Sequence, residues 1–253
     1  MNISFNHKIA VVTGGTRGIG LRCAEMLAEG GARVAIIGRD KTNLDKAVES
    51  LHKYGDAVGY SLDVTQIALI DDTVKQIIQD LVGIDILVCS AGANLGKPRP
   101  AETITEADWD KVYTTNIKGL FFFNKAVAVN SMIPRHSGAI VNISSQSSII
   151  SPYNAAPYCS SKAAVNHLCK AEAKEWAAHN IRVNAVAPTW TLTELSKSVL
   201  ESSATFATVE LNKIPMRRFA TLDDVASAVC FLASDAAGYI TGVTLPVDGG
   251  YST

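Results

Sequence analysis

The sequence predicts an α/β protein with a doubly wound, Rossmann-type, seven-stranded parallel sheet between helix layers, and three observations predict it. Short apolar runs alternate with longer amphipathic stretches along the 253 residues, the pattern of strand and helix repeated. The runs show no polar alternation, so both faces of the sheet are covered and its strands run parallel. A glycine-rich turn follows the first run and opens directly into a helix.

Residues 9–12 form the first strand, and Thr13 to Gly20 form the glycine turn. Amphipathic spacing then predicts helices over 18–29, 42–54, 67–81, 108–131, 158–178 and 222–233. Between them the apolar runs predict strands at 34–37, 57–62, 84–89, 139–143, 183–187 and 243–247. The one sizeable irregular stretch is 189–220, which at that length reads as a lid or a disordered insert. No repeat or linker interrupts the pattern, and one domain is expected over 1–253.

Composition excludes several classes. With 19% charged residues, a net charge of -1 and no basic stripe, nucleic acid is not an expected partner. Neither a signal segment nor a run of about 18 apolar residues is present, so a soluble, cytoplasmic protein is expected. The five cysteines (Cys23, Cys89, Cys159, Cys169, Cys230) are scattered and never spaced as Cys-x-x-Cys, which reads as reduced core residues. Cys159 lacks a nearby histidine to activate it, and no His, Asp or Glu cluster has metal-ligand spacing.

The glycine turn points to a dinucleotide. Gly14, Gly18 and Gly20 allow positive φ, close approach to a pyrophosphate and tight packing of helix on strand, while the helix N-terminus attracts negative charge. At the close of the second strand, where an acidic residue would hold a ribose 2′-hydroxyl, the chain has Gly38 followed by Arg39. A guanidinium beside a vacant carboxylate position suits a 2′-phosphate, and Arg17 reaches the same group, so NADP(H) is the expected cofactor. The other reading is solvated arginines with Asp40 on an unphosphorylated ribose. Asp63, ending the third strand, is placed either to bond adenine or to cap the helix beginning near Thr65.

Tyr158 and Lys162 lie one helical turn apart, on one face. A fixed ammonium beside a phenol favours the phenolate and is expected to draw its pKa from about 10 towards neutrality.

With the glycine turn, Asn116, Ser145 and the Tyr158 to Lys162 segment in this order, and Val247 to Gly250 closing the match, the sequence resembles the short-chain dehydrogenase/reductase family over essentially its full length. The resemblance implies an NAD(P)-dependent oxidoreductase, commonly tetrameric through the helices at 108–131 and 158–178. It implies that Tyr158 is the acid in carbonyl reduction and the base in alcohol oxidation, and that Lys162 lowers its pKa and binds ribose hydroxyls. Ser145 would bond the substrate oxygen, with Ser144 its nearest rival, and Asn116 would hold a relay water. Around the cofactor it implies contacts from Thr16 and Ile19 in the turn, from Val64, and from Ser90, Ala91 and Gly92 after the fourth strand. Pro188, Thr189, Thr191 and Thr193 after the sixth strand complete the set.

The chain departs from the family in three places. Cys89-Ser90-Ala91-Gly92 replaces the usual Asn-Asn-Ala-Gly, Thr189 replaces a common glycine after Pro188, and Ser148 stands where glycine is usual and is expected to narrow or polarise the pocket floor. The substrate pocket is expected to draw on Ala93, Asn94, Gln146, Asn154, Trp190, Leu195 and Phe206. Its amides suit a sugar, polyol or small hydroxyketone. A 3-oxoacyl thioester is the rival substrate, with Arg217 and Arg218 near a carrier phosphate or simply solvated. A non-catalytic NADP(H) sensor is the alternative of a different class.

Overall fold

The computed structural model describes residues 3–193, 196, 200 and 203–253. Seven strands form a single parallel sheet: β1 (Ile9–Thr13), β2 (Arg33–Gly38), β3 (Ala57–Ser61), β4 (Ile86–Cys89), β5 (Gly138–Ile143), β6 (Ile181–Pro188) and β7 (Thr244–Val247), in the order β3-β2-β1-β4-β5-β6-β7. The winding reverses between β1 and β4. That reversal opens a crevice at the carboxyl ends of these two strands, where such folds bind ligands.

Alternate residues of each strand serve opposite cores. Val12, Val34 and Ile36 face α1 (Gly18–Glu29), α2 (Lys41–Leu51) and the late helix α9 (Leu222–Ala233), which contribute Leu27, Leu44 and Val229. Val11, Ala35 and Ile37 face the other layer, where α3 (Ile67–Leu81), α5 (Leu120–Val127) and α7 (Ala156–Trp176) contribute Val74, Phe123 and Val165. Burial on both faces explains the unbroken apolar runs.

Residues 106–135 are helical throughout and longer than the periodicity predicts. They comprise α4 (Glu106–Tyr113), a π segment at Thr114–Gly119, α5, a second π segment at Ala128–Met132 and α6 (Ile133–Arg135). The start is set by a capping box in which Thr105 and Asp108 satisfy each other's backbone N–H. Strand β4 begins at Ile86 rather than 84 because the N–H and carbonyl of Ile84 both bond the Ser131 hydroxyl. Stretch 189–220 is not structureless: it contains α8 (Ala204–Asn212), and a bridge between Thr191 and Ala220 joins its ends.

All five cysteines are buried and free. Among the described residues no helix is long and apolar enough to cross a membrane, and no cluster could hold a metal ion.

Candidate active site

The glycine turn lies at the crevice. Gly14 has φ +65°, and a Cβ there would stand 2.8 Å from the Ala91 nitrogen, while one at Gly20 would stand 2.3 Å from the Gly14 carbonyl oxygen. Only glycine lets the turn, the first turn of α1 and the Ser90–Ala91 backbone approach so closely. Thr13 ties the same layers together, its carbonyl accepting the Ser90 N–H (3.1 Å) and its hydroxyl the Ala91 N–H (3.3 Å). The N-terminus of α1 has no side-chain cap, so N–H groups of its first turn remain available to an anion. Thr193 reaches across from the loop after β6, its methyl 3.5 Å from where a Gly18 side chain would begin, and Thr191 braces that loop on the Thr189 carbonyl (2.9 Å). Ile19 is partly buried against the core of this layer.

At the end of β2, Gly38 lies against Thr16, where a Cβ would stand 2.4 Å from the threonine methyl. Arg17, Arg39 and Asp40 are exposed. The Asp40 carboxylate accepts the Asn43 N–H (2.8 Å) and caps α2. Asp63 accepts both the N–H and the hydroxyl of Thr65 and pairs with Arg39 at 3.7 Å. Partial burial opposes its ionisation, but the Thr65 donors and Arg39 outweigh it and hold the carboxyl below its usual range. Buried Val64 backs this wall, its carbonyl 2.6 Å from where a Gly119 side chain would begin.

Asn116, fully buried in the first π segment, clamps the loop after β4: its Oδ1 accepts the Ala93 N–H (2.7 Å) and its Nδ2 donates to the Ala93 carbonyl (3.0 Å) and the Ser161 hydroxyl (2.9 Å). These contacts define a clamp between the loop after β4 and α7. Gly92 completes the cluster, the place of its missing Cβ lying 3.6 Å from Asn116 Oδ1 and 3.7 Å from Lys162 Nζ.

Helix α7 carries Tyr158 and Lys162 on one face, and the lysine amine stands 5.9 Å from the tyrosine ring centre. Lys162 Nζ donates to the Ile143 carbonyl at the end of β5 (2.7 Å), and burial pushes its pKa down to about 8. Burial raises the Tyr158 hydroxyl above its usual range, opposed by the neighbouring Ser145 hydroxyl. The net direction is upward, opposite to the expected shift, because desolvation of the phenol is the largest influence on it.

The two serines have different partners, Ser145 Oγ accepting the Ser147 N–H (3.1 Å). Ser144 bonds Asn166 Oδ1 (2.6 Å) and lies 3.2 Å from the Lys162 carbonyl, so it locks β5 to α7. Ser145 is the serine at Tyr158. Ser148 lines the groove of about 490 Å³ beside Asn154, and its hydroxyl donates to the Ser145 carbonyl (2.5 Å) and accepts from Asn166 Nδ2 (2.7 Å).

Of the expected substrate residues, Gln146 is 6% exposed with its Oε1 unpartnered; Thr189, expected at the cofactor and following buried Pro188, is 8% exposed with its hydroxyl unpartnered. Trp190 meets Phe206 edge-on at 5.6 Å. Asn94 is exposed and turns the chain by accepting the Gly96 N–H (2.9 Å). Asn154, at φ +63°, lines a groove of about 490 Å³ with Cys159, Ser160 and Ala163, a face of α7 turned from Lys162. Leu195 lies outside the described residues. Sequence reasoning missed Asn166, although it falls one turn beyond Lys162 on the same face, and Glu210, which nothing in the pattern marks.

A family model described as Enoyl-(Acyl carrier protein) reductase matches residues 14–252. Galactitol 2-dehydrogenase of Rhizobium johnstonii is 41% identical over 246 residues, covering 96% of this chain and 94% of that protein. The 3-oxoacyl-(acyl-carrier-protein) reductase of Thermotoga maritima is 36% identical over 244 residues, covering 96% of this chain and 97% of that protein. Among solved structures, a gluconate 5-dehydrogenase from Burkholderia cenocepacia J2315 in complex with NADP and tartrate superposes with a TM-score of 0.94 at 32% identity, covering 99% of this chain and 97% of its own. The chain belongs to the short-chain dehydrogenase/reductase family, as an oxidoreductase acting between secondary alcohols and ketones.

Proposed function

We propose that the protein interconverts a polyol or sugar alcohol and its ketone with NADP(H), using Tyr158, Ser145, Lys162 and Asn116. The observation that carries this reading is the buried lysine amine 5.9 Å from the Tyr158 ring, with the Ser145 hydroxyl acting on the same phenol. The glycine cradle fits a dinucleotide, since Cβ atoms at Gly14 and Gly20 would collide with backbone. Gly14, Thr16, Gly18 and the first turn of α1 would hold its pyrophosphate, Asp63 its adenine, and Lys162 its ribose. Bound there, the nicotinamide would supply or accept the hydride.

The chain's own part is the proton. Ser145 holds the substrate oxygen by hydrogen bond and Tyr158 gives it a proton during reduction. A phenol, whose ordinary pKa is about 10, carries at neutral pH the proton a donor needs, and burial favours that form further. Oxidation needs the phenolate, so its rate rises with pH while reduction falls. Lys162, anchored on Ile143, keeps a positive charge available beneath the site.

NADP(H) over NAD(H) rests on Arg39 and Arg17 at a β2 end without a free carboxylate, Asp40 being engaged as a helix cap. A hydroxylated substrate is supported by the unpartnered oxygens of Gln146 and Thr189 and by the galactitol relative. The 3-oxoacyl thioester reading retains the Thermotoga relative. Against it, Arg218 is paired with Asp224 and Arg217 bonds Asn212, so neither is free for a carrier phosphate. Absorbance of the reduced nicotinamide, followed with polyols, sugars, small ketones and oxoacyl thioesters and with both dinucleotides, tests the reading. Turnover of polyols with NADP is expected; turnover confined to oxoacyl thioesters, or a preference for NAD, contradicts it.

A further inference from the structure

Glu210 is the only buried residue of α8, a nine-residue helix. A helix on the surface normally docks through an apolar stripe; here the apolar residues are only partly buried or exposed, and the one fully docked side chain is a carboxylate. Glu210 is 8% exposed, and its Oε2 accepts the indole N–H of Trp190 at 2.9 Å. Its other oxygen accepts from Lys213 at 2.5 Å, which supplies the charge partner a buried carboxylate needs, and the Tyr251 hydroxyl lies 3.5 Å from Oε2. Trp190 follows Thr189 directly after β6, and Phe206 of the same helix lies edge-on against its indole. Both contacts between α8 and Trp190 therefore bear on one ring, and only the carboxylate contact is directional.

We propose that Glu210 is a positioning residue for the substrate: it fixes the Trp190 indole as a wall of the pocket and latches the lid helix to that wall. The proposal rests on the reading of Trp190 as a substrate-contacting residue. Trp190 cannot turn without losing a charge-assisted bond, and α8 cannot lift without exposing the same carboxylate. The latch acts through a second residue on substrate binding and leaves the proton transfer at Tyr158 untouched.

The test combines kinetics with emission from Trp190, read in a chain whose other two tryptophans, Trp109 and Trp176, are replaced by phenylalanine. Glu210→Ala is expected to raise KM for the alcohol about tenfold with kcat within about twofold, and to shift Trp190 emission to the red. Glu210→Gln keeps an acceptor for the indole and is expected to restore both. Should Glu210→Ala fold poorly, Trp190→Phe removes the donor instead; it should raise KM by a similar factor, and adding Glu210→Gln to it should cost nothing more. Unchanged emission in Glu210→Ala overturns the latch itself. A shifted emission with unchanged KM overturns the role of Trp190 at the substrate, and the proposal with it. Glu210→Gln as impaired as Glu210→Ala also overturns it, because charge rather than the acceptor would then be what matters.

Discussion

Lys162 donates to the carbonyl of Ile143 at 2.7 Å rather than to the hydroxyl of Tyr158, although one helical turn separates lysine and tyrosine. The amine is thus pinned to the carboxyl end of β5, beneath the site, with the ring centre 5.9 Å away. The site combines a phenol whose protonated form burial favours with a lysine that burial makes easier to deprotonate.

Burying that amine costs stability. Folding weakens the proton affinity of Lys162, which at pH 7 still carries its charge, so its contribution is present above pH 10.5 and is lost as pH falls through about 8. Lys162→Met should therefore raise the melting temperature by a few degrees at pH 7 while reducing kcat/KM by about a hundredfold or more. Thermal scans at pH 7 and pH 10 check this; a variant less stable than wild type at pH 7 contradicts it.

Glu172 is 2% exposed, and only one of its oxygens has a partner, the Asn124 amide at 2.8 Å. Burial, opposed by Asn124 and reinforced by Glu175, raises its pKa from 4.5 to about 8. A raised carboxyl stabilises in its protonated form, fully below pH 4.5, and that contribution is lost as pH rises through about 8. Glu172→Gln should flatten this decline and be the more stable protein at pH 8, by about a few kcal/mol in denaturant titrations. Identical pH dependence in the two proteins counts against it.

The two neighbouring serines should separate cleanly. Ser145→Ala should lower kcat by about 100-fold or more with little change in melting temperature. Ser144→Ala should lose about 1 kcal/mol of stability with its Asn166 bond and keep most of its activity. Reversed phenotypes would exchange their roles.

Arg39 is exposed and only loosely paired with Asp63, so Arg39→Ala should weaken NADPH binding about tenfold and leave NADH within about twofold, read by titration of nicotinamide fluorescence. Equal losses for both dinucleotides would mean that no 2′-phosphate is read there. The reciprocal change Gly38→Asp is a poorer probe, because its Cβ would stand 2.4 Å from the Thr16 methyl.

How much of this was legible in the sequence depended on whether burial left a periodic trace. Strands β1 and β2 are covered on both faces and read directly from their apolar runs; Tyr158 and Lys162 read from helical spacing. The π segment around Asn116 left no trace, since it follows from the approach of Gly119 to the Val64 carbonyl and from the clamp on Ala93, both distant in sequence. Helix α8 was invisible because its one buried residue is a glutamate. The resemblance put Ser145 ahead of Ser144, but the bond of Ser144 to Asn166 follows from no spacing rule. The direction of the Tyr158 shift was misjudged because a sequence shows a neighbouring charge but not the depth of burial.

Tyr158→Phe tests the central claim most directly, because it removes the proton and keeps the ring. Steady-state turnover measured beside NADPH binding should show kcat/KM reduced by about a thousandfold or more with dinucleotide affinity unchanged. Turnover within about tenfold of wild type would contradict the assignment of the transferred proton to Tyr158.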